Sequence, residues 1–198
     1  MRNNHEKIKK MTFIAIFSAL SLVLYIIGPK FRLPIFPSFL EINFSMLPIL
    51  IATFMLGPVE GMIMVVIRFL IKLPFTHTTG VGELSDMIIG LCVAGSCGFV
   101  NKKSNSKYKL IYIYIIGIVS WILGSYISNS FSFPFYLNLY GKEAVLGACS
   151  MIPGITEDNL VFMYYIFGIT PFNLCLSIVV LTVTILVHKR LRNLYDKI

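Results

Sequence analysis

The chain has 198 residues, of which 57% are hydrophobic and only 13% are charged, and its mean hydropathy is +0.81. A soluble domain carries about 25% charged residues, so the composition excludes an ordinary soluble fold and indicates one integral membrane domain over residues 1–198. The net charge of +8 lies in clusters that flank apolar segments. We therefore expect a lipid bilayer as the surroundings and no nucleic-acid partner.

The first predicted helix covers residues 11–27 and follows a basic segment. Gly28-Pro29-Lys30 after it is not a small-residue cleavage site, so we expect a retained membrane helix rather than a signal peptide. Ala15 and Ala19 lie one helical turn apart within it. Small residues at this spacing let another helix approach closely, either from a partner protein or from the same bundle.

The next apolar stretch, residues 44–73, contains Gly57-Pro58 near its middle. A membrane span needs about 20 apolar residues, so this stretch is either one long bent helix or two short ones. Proline removes a backbone donor and breaks a helix interior. This favours two helices, 44–56 and 59–73, that meet at Gly57-Pro58.

Three further helices are predicted at residues 84–100, 110–133 and 172–188. Residues 134–171 are predicted to form an outer connection that contains a partly buried helical piece. Its most apolar part, Leu160–Ile169, is too short to cross a membrane.

The basic residues predict the orientation. They cluster at residues 2–10, 102–109 and 189–197, and the positive-inside rule places all three clusters in the cytoplasm. The middle cluster lies inside only if four crossings precede it, so residues 44–73 must contain two. The prediction is an all-α, six-helix transmembrane bundle with both termini in the cytoplasm.

Polar side chains gather at the predicted outer end of this bundle, among many Phe and Tyr residues. Ionisable groups are costly at membrane depth and mark functional sites, although a structural salt-bridge network would also account for them. Apolar walls with a few converging polar groups suit a flat, amphipathic small molecule. The polar residues are Glu41, Asn43, Arg68, Lys72, Glu83, Asp86, Asn129 and Asn173.

Known catalytic motifs such as HExxH, GxSxG and the P-loop do not occur in the sequence. The four cysteines are scattered among apolar residues, and the histidines are not at metal-binding spacing. We expect a binding protein rather than an enzyme, with no metal and no cofactor.

The segment INFSMLPILIATFMLGPVEG resembles the helix 2–3 signature of the substrate-binding S components of energy-coupling factor (ECF) vitamin transporters. TGVGELSD resembles the start of their fourth helix, and Ala15-x-x-x-Ala19 is similar to the AxxxA motif of their first. The matching positions of the first segment are Phe44, Ser45, Pro48, Gly57, Pro58 and Gly61.

This resemblance implies a six-helix protein of a bacterial plasma membrane that captures a vitamin at the outer face. It also implies a membrane scaffold subunit and two cytoplasmic ATPases as partners, with ATP used by those partners. Ala15 and Ala19 would contact the scaffold, and the first outer loop, residues 29–43, would act as a lid.

The segments LEINFSMLP, VIRFLIKL and PFN are similar to those of the riboflavin-binding members. Two positions depart from these members: Leu176 stands where some carry Lys, and Asn129-Ser130 stands where they have Asn-Tyr. Folate or pantothenate therefore remain alternative vitamins, and a structural membrane protein without transport function remains a further alternative.

The resemblance and the outer clustering together predict the substrate contacts. They are Leu40, Glu41, Asn43 and Phe44 on the lid, Thr79 and Gly80 on the next outer loop, Asn129 and Asn173 on the opposite side, and Lys72 and Glu83 among the charged groups.

Overall fold

The computed structural model describes residues 2–37, 39–76 and 79–195. The regular structure in these ranges is helical, apart from one isolated antiparallel bridge between Phe31 and Ile42, which confirms the predicted all-α class. The helices are α1 (Arg2–Ile26), α2 (Met46–Leu56), α3 (Pro58–Lys72), α4 (Val81–Lys103), α5 (Lys109–Tyr140), α6 (Lys142–Ala148), α7 (Leu160–Met163) and α8 (Thr170–Tyr195).

The chain reverses between α2 and α3 at a single residue, Gly57. Its φ of 124° lies in the region that favours glycine, and its N–H donates to the Thr53 carbonyl at 2.9 Å. Pro58 is the first residue of α3, where a missing N–H costs nothing because that donor would have no helical partner. The break therefore follows from the local preferences of two adjacent residues.

Helix α5 is longer than the sequence predicts, because it continues through Pro134 to Tyr140. A proline in a helix interior costs roughly 3 kcal/mol. Phe133 is buried, and Leu137 packs on the same apolar cluster. Burial of a Phe side chain contributes about 1.5–3 kcal/mol, so packing on both sides of Pro134 offsets its cost.

The last helix begins earlier than predicted, since residues 160–169 join it instead of forming a separate piece. Helix α7 leads into a π-helical segment, Tyr164–Ile169, and this runs directly into α8. The reason is again packing: Leu160, Tyr164 and Ile169 are buried against α5 and α6 in one cluster. The predicted outer connection is therefore mostly helical.

Among the described residues, four helical segments are long and apolar enough to cross a membrane: Asn4–Ile26 within α1, all of α4, all of α5, and the continuous segment Leu160–Arg190. At 1.5 Å per residue, α2 and α3 extend for only about 16 Å and 22 Å, less than the hydrocarbon thickness of about 30 Å. Helix α2 nevertheless lies at the centre, with most of its side chains buried between α1, α3, α4 and α8.

The tightest approach of α4 to the α2–α3 turn is at Gly98. A Cβ atom there would lie 2.7 Å from the Pro58 Cα and 2.7 Å from the Thr53 Cγ2. We expect Gly98→Ala to lower the free energy of unfolding by about 1–3 kcal/mol, because backbone atoms would have to move. Gly147→Ala is the control, since a Cβ there meets nothing within 4 Å. Thermal unfolding of both variants in detergent measures the difference, and equal melting temperatures would contradict the packing described.

Candidate ligand-binding cavity

A cavity of about 440 Å³ lies at the end of the bundle where α1 ends and α8 begins. We call it the central cavity. Its volume lies in the range of small-molecule sites. Helices α1, α2, α3, α4, α5 and α8, the π-helical segment and the loop between α1 and α2 all contribute to its wall. The lining residues are Tyr25, Lys30, Arg32, Phe39, Leu40, Glu41, Asn43, Ser45, Met46, Arg68, Lys72, Gly82, Glu83, Ser85, Asp86, Ile89, Gly90, Trp121, Asn129, Tyr136, Tyr164, Phe172, Asn173 and Leu176.

The floor of the central cavity carries two cations from α3 and two acids from α4. Arg68 and Lys72 are 4% and 6% exposed. Lys72 Nζ lies 3.5 Å from Glu83 Oε1, and Arg68 attracts Asp86 electrostatically. Two cations and two acids therefore share the floor, and Lys72 and Glu83 form a salt bridge there.

Further contacts hold these floor charges in place. The Tyr25 ring lies under both cations, with its centroid 5.5 Å from Arg68 Cζ and 5.2 Å from Lys72 Nζ. Lys72 Nζ also donates to the Phe75 carbonyl at 3.0 Å, and Glu83 Oε2 accepts from the Thr76 hydroxyl at 2.6 Å. Such additional bonds are what make a buried ion pair tolerable.

Three amide side chains lie around the wall, and each is held by its own partners. Asn43 Oδ1 accepts from the Ser45 hydroxyl at 2.6 Å and from the Ser45 N–H at 3.2 Å. Asn173 Oδ1 accepts from Trp121 Nε1–H at 3.2 Å. Asn129 Oδ1 accepts from the Tyr164 hydroxyl at 3.2 Å. The three amides are therefore held in fixed orientations before any ligand binds.

The loop between α1 and α2 covers the cavity. Its two ends are paired by backbone hydrogen bonds between Phe31 and Ile42, at 3.1 and 2.9 Å. Phe36 is buried and packs edge-on against Phe172, with ring centroids 5.4 Å apart. Phe39 lies 5.8 Å from the Tyr164 ring. These contacts attach the loop to both α8 and the π-helical segment.

Charges on this loop are also paired with one another. Arg32 Nε donates to Glu41 Oε1 at 2.8 Å, and Lys30 Nζ lies 3.5 Å from Glu41 Oε2. Partial burial raises the pKa of Glu41, but the hydrogen bond from Arg32 and the charge of Lys30 outweigh it and bring the pKa below its ordinary value. The stabilisation from this pairing is present above the ordinary pKa and is lost as the pH falls through the lowered one.

Most of the residues predicted as substrate contacts line the central cavity. These are Leu40, Glu41, Asn43, Lys72, Glu83, Asn129 and Asn173. Phe44, Thr79 and Gly80 do not line it. Phe44 packs instead against the apolar core behind the wall, and the Gly80 N–H donates to the Thr76 hydroxyl at 3.0 Å.

Several lining residues were not predicted as contacts from the sequence, among them Tyr25 and Trp121. Trp121 is the only tryptophan, and it lies in the middle of an apolar segment instead of at a membrane interface, where tryptophan is usual. Its position in the sequence could therefore have indicated that Trp121 lines a site. Tyr25 lies near the end of α1, as an interfacial tyrosine does, so its sequence position carries no such signal.

The two predicted scaffold-contact residues, Ala15 and Ala19, are exposed on α1. The serines of the same helix segment face inward: Ser18 and Ser21 are buried, and the Ser21 hydroxyl donates to the Ser45 carbonyl at 2.6 Å. The two alanines therefore remain on the exposed face of α1.

Residues 9–188 match the family model described as the substrate-specific component of ECF transporters. The chain belongs to this family. Such S components are parts of transporters and not a class of enzymes. With four helices capable of crossing the bilayer, this S component is a multi-pass protein of the plasma membrane.

Individual relatives of this S component have similar lengths. The chain is 31% identical over 196 residues to the riboflavin transporter RibU of Staphylococcus aureus (strain TCH60), covering 98% of this chain and 96% of that protein. It is 25% identical over 190 residues to the riboflavin transporter FmnP of Bacillus subtilis (strain 168), covering 94% and 93%. A solved structure of the S component of a bacterial ECF transporter matches with a TM-score of 0.74 and 28% identity, covering 96% of this chain and 98% of that one.

The pairing on the floor makes a test of stability possible. Lys72→Met leaves Glu83 as a buried charge without its ion-pair partner, and we expect it to lower the free energy of unfolding by about 3–5 kcal/mol. The double variant Lys72→Met/Glu83→Gln removes both charges and should recover most of this loss. Thermal unfolding in detergent is the measurement.

The control for this test is the exposed pair Lys142–Glu157, whose side chains are 51% and 57% exposed. Glu157→Gln should change the free energy of unfolding by no more than about 1 kcal/mol. If the double variant is as unstable as Lys72→Met alone, the two floor residues do not act as a pair.

Proposed function

We propose that this S component captures riboflavin in the central cavity and, with an ECF scaffold subunit and two ATPases, carries it into the cell. The observation that carries this proposal is the cavity itself: a small-molecule volume with aromatic walls and three pre-oriented amides. The relatives named as riboflavin transporters support the same ligand.

The chemistry of the cavity suits a flavin. The isoalloxazine ring is flat and uncharged at neutral pH, so it requires apolar faces and hydrogen-bonding partners at one edge. Trp121, Phe172 and Leu176 provide apolar surface on one side, and Leu40 provides it from the covering loop. The amides can meet the heteroatoms, since each amide offers both donors and acceptors.

We propose Leu40, Asn43, Asn129 and Asn173 as direct contacts, and Glu41 as a contact at the rim. Lys72 and Glu83 form the floor beneath the ligand. Phe44 packs against the core instead of lining the cavity, and contacts from Phe44, Thr79 and Gly80 to the ligand remain predictions from the sequence.

The paired floor disfavours the alternative vitamins. Folate and pantothenate are anions, and they would require a cation that is available to them. Lys72 faces Glu83 at 3.5 Å, and Arg68 both attracts Asp86 and donates to the Ser45 hydroxyl at 2.9 Å. These two positive charges of the floor already have partners, so the floor suits a neutral ring better than a carboxylate.

We further propose six crossings with both termini in the cytoplasm. This topology places the basic clusters at residues 2–10, 102–109 and 189–197 on one side. The central cavity then opens toward the outside, which is where an importer must capture its substrate.

The ligand assignment predicts that the protein purified from a riboflavin-containing medium is yellow and binds added riboflavin. Asn173→Ala should weaken binding by about tenfold or more, because the ligand loses an amide contact and the Trp121 N–H loses its acceptor. Asn138→Ala is the control, since Asn138 is exposed on α5 and does not line the cavity. Fluorescence titration measures the riboflavin affinity of both variants. A colourless wild-type protein that does not bind added riboflavin would contradict the proposal.

The partner assignment predicts a separation of binding from uptake. Ala15→Trp should abolish riboflavin uptake by cells that contain the complete transporter, because the large ring blocks close approach of the scaffold helix. Riboflavin binding by the purified variant should be unchanged. Leu20→Trp is the matched control, placed on the lipid-exposed side of the same helix. Loss of binding in Ala15→Trp would show instead that this face serves the fold of the S component itself.

A further inference from the structure

The Tyr164 hydroxyl joins two distant segments of the cavity wall. Tyr164 is the first residue of the π-helical segment, and its Oη lies 3.2 Å from Asn129 Oδ1 on α5. Both residues line the central cavity. π-Helical turns occur frequently at functional sites, so a functional role of the hydroxyl, in addition to packing of the ring, is worth testing.

A partner that can only accept a hydrogen bond determines which way the Asn129 amide points. Its Nδ2 lies 2.8 Å from the Ser125 carbonyl oxygen, which can only accept a hydrogen bond. The nitrogen must therefore face Ser125, and the amide oxygen faces Tyr164. The Tyr164 hydroxyl is then the donor. An amide oxygen accepts two hydrogen bonds, so Asn129 Oδ1 keeps one acceptor site for a ligand.

The Tyr164 ring has little freedom to move. It is 1% exposed and stacks on Phe133 with centroids 4.2 Å apart. Gly168 also lies close to the ring, since a Cβ atom there would be only 3.1 Å from Tyr164 Cδ2. Because the ring is held by these neighbours, the position of its hydroxyl is set independently of any ligand.

The same construction recurs at the second amide of the wall. Trp121 Nε1–H can only donate, and it faces Asn173 Oδ1 at 3.2 Å. Asn173 Nδ2 donates to the Ile169 carbonyl at 3.0 Å. In both cases the amide nitrogen donates to the backbone carbonyl one turn earlier, and the amide oxygen accepts from a buried aromatic side chain.

We infer that Tyr164 is a positioning residue for ligand binding: its hydroxyl holds the Asn129 amide in the orientation that presents an oxygen acceptor to riboflavin. This inference rests on the proposed function. It differs from a direct ligand contact, because Tyr164 acts on affinity only through Asn129.

A double-mutant cycle on the full chain tests the inference, with riboflavin affinity as the measurement. Tyr164→Phe keeps the stacked ring and deletes only the hydroxyl, and it should weaken binding about fivefold. In an Asn129→Ala background the same change should cause no further loss, because the amide that the hydroxyl positions is gone. Tyr126→Phe is the control; its hydroxyl bonds Thr170 at 2.5 Å and it does not line the cavity.

The outcomes separate the possible roles. A direct contact with riboflavin, or a general effect on folding, would make the two losses additive, and either result would overturn the inference. So would wild-type affinity in Tyr164→Phe. If Asn129→Ala does not fold, Asn129→Leu, of nearly the same shape, takes its place in the cycle. Failure of the wild-type chain to bind riboflavin would overturn the proposed function and this inference with it, whereas additive losses on a binding-competent chain overturn the inference alone.

Discussion

The compensation of buried charge constrains the whole end of this bundle. Arg68 and Lys72 are buried, and buried charges are tolerated only where opposite charges and hydrogen bonds compensate them. At the start of α4, Glu83 forms a salt bridge with Lys72, and Asp86 attracts Arg68 electrostatically. The requirement places α3 and α4 side by side and creates a polar floor of opposite charges. A neutral ligand can rest on such a floor.

The short helices explain why there is a cavity above that floor. Because α2 starts at Met46 and α3 ends at Lys72, neither fills the end of the bundle that α1, α5 and α8 enclose. The loop over this space is attached by Phe36 and Phe39 and by backbone pairing at Phe31. These contacts tie the loop to α8 and to the π-helical segment, so the covering loop depends on residues distant in the sequence.

Local residue preferences made part of the fold predictable, and tertiary packing decided the rest. Gly57-Pro58 imposes its own break, so two short helices can be inferred from the sequence. Pro134 carries the same local signal but does not end α5, because Phe133 stacks on Tyr164 across a gap of more than thirty positions in the chain. No local pattern shows that contact.

The site, like the fold, could be predicted from the sequence only in part. The amides Asn43, Asn129 and Asn173 stand out because polar residues are rare in apolar segments. Interfacial tyrosines are ordinary in membrane helices, so Tyr25 becomes meaningful only once the fold brings it to the cavity, whereas Trp121 stands out by its position in the middle of an apolar segment. A structure of the chain saturated with riboflavin would decide whether the central cavity is the riboflavin site. We expect the isoalloxazine ring to lie beneath the covering loop, in contact with Asn43 and Asn173. Riboflavin bound elsewhere, with the central cavity empty, would show that the site has been misassigned.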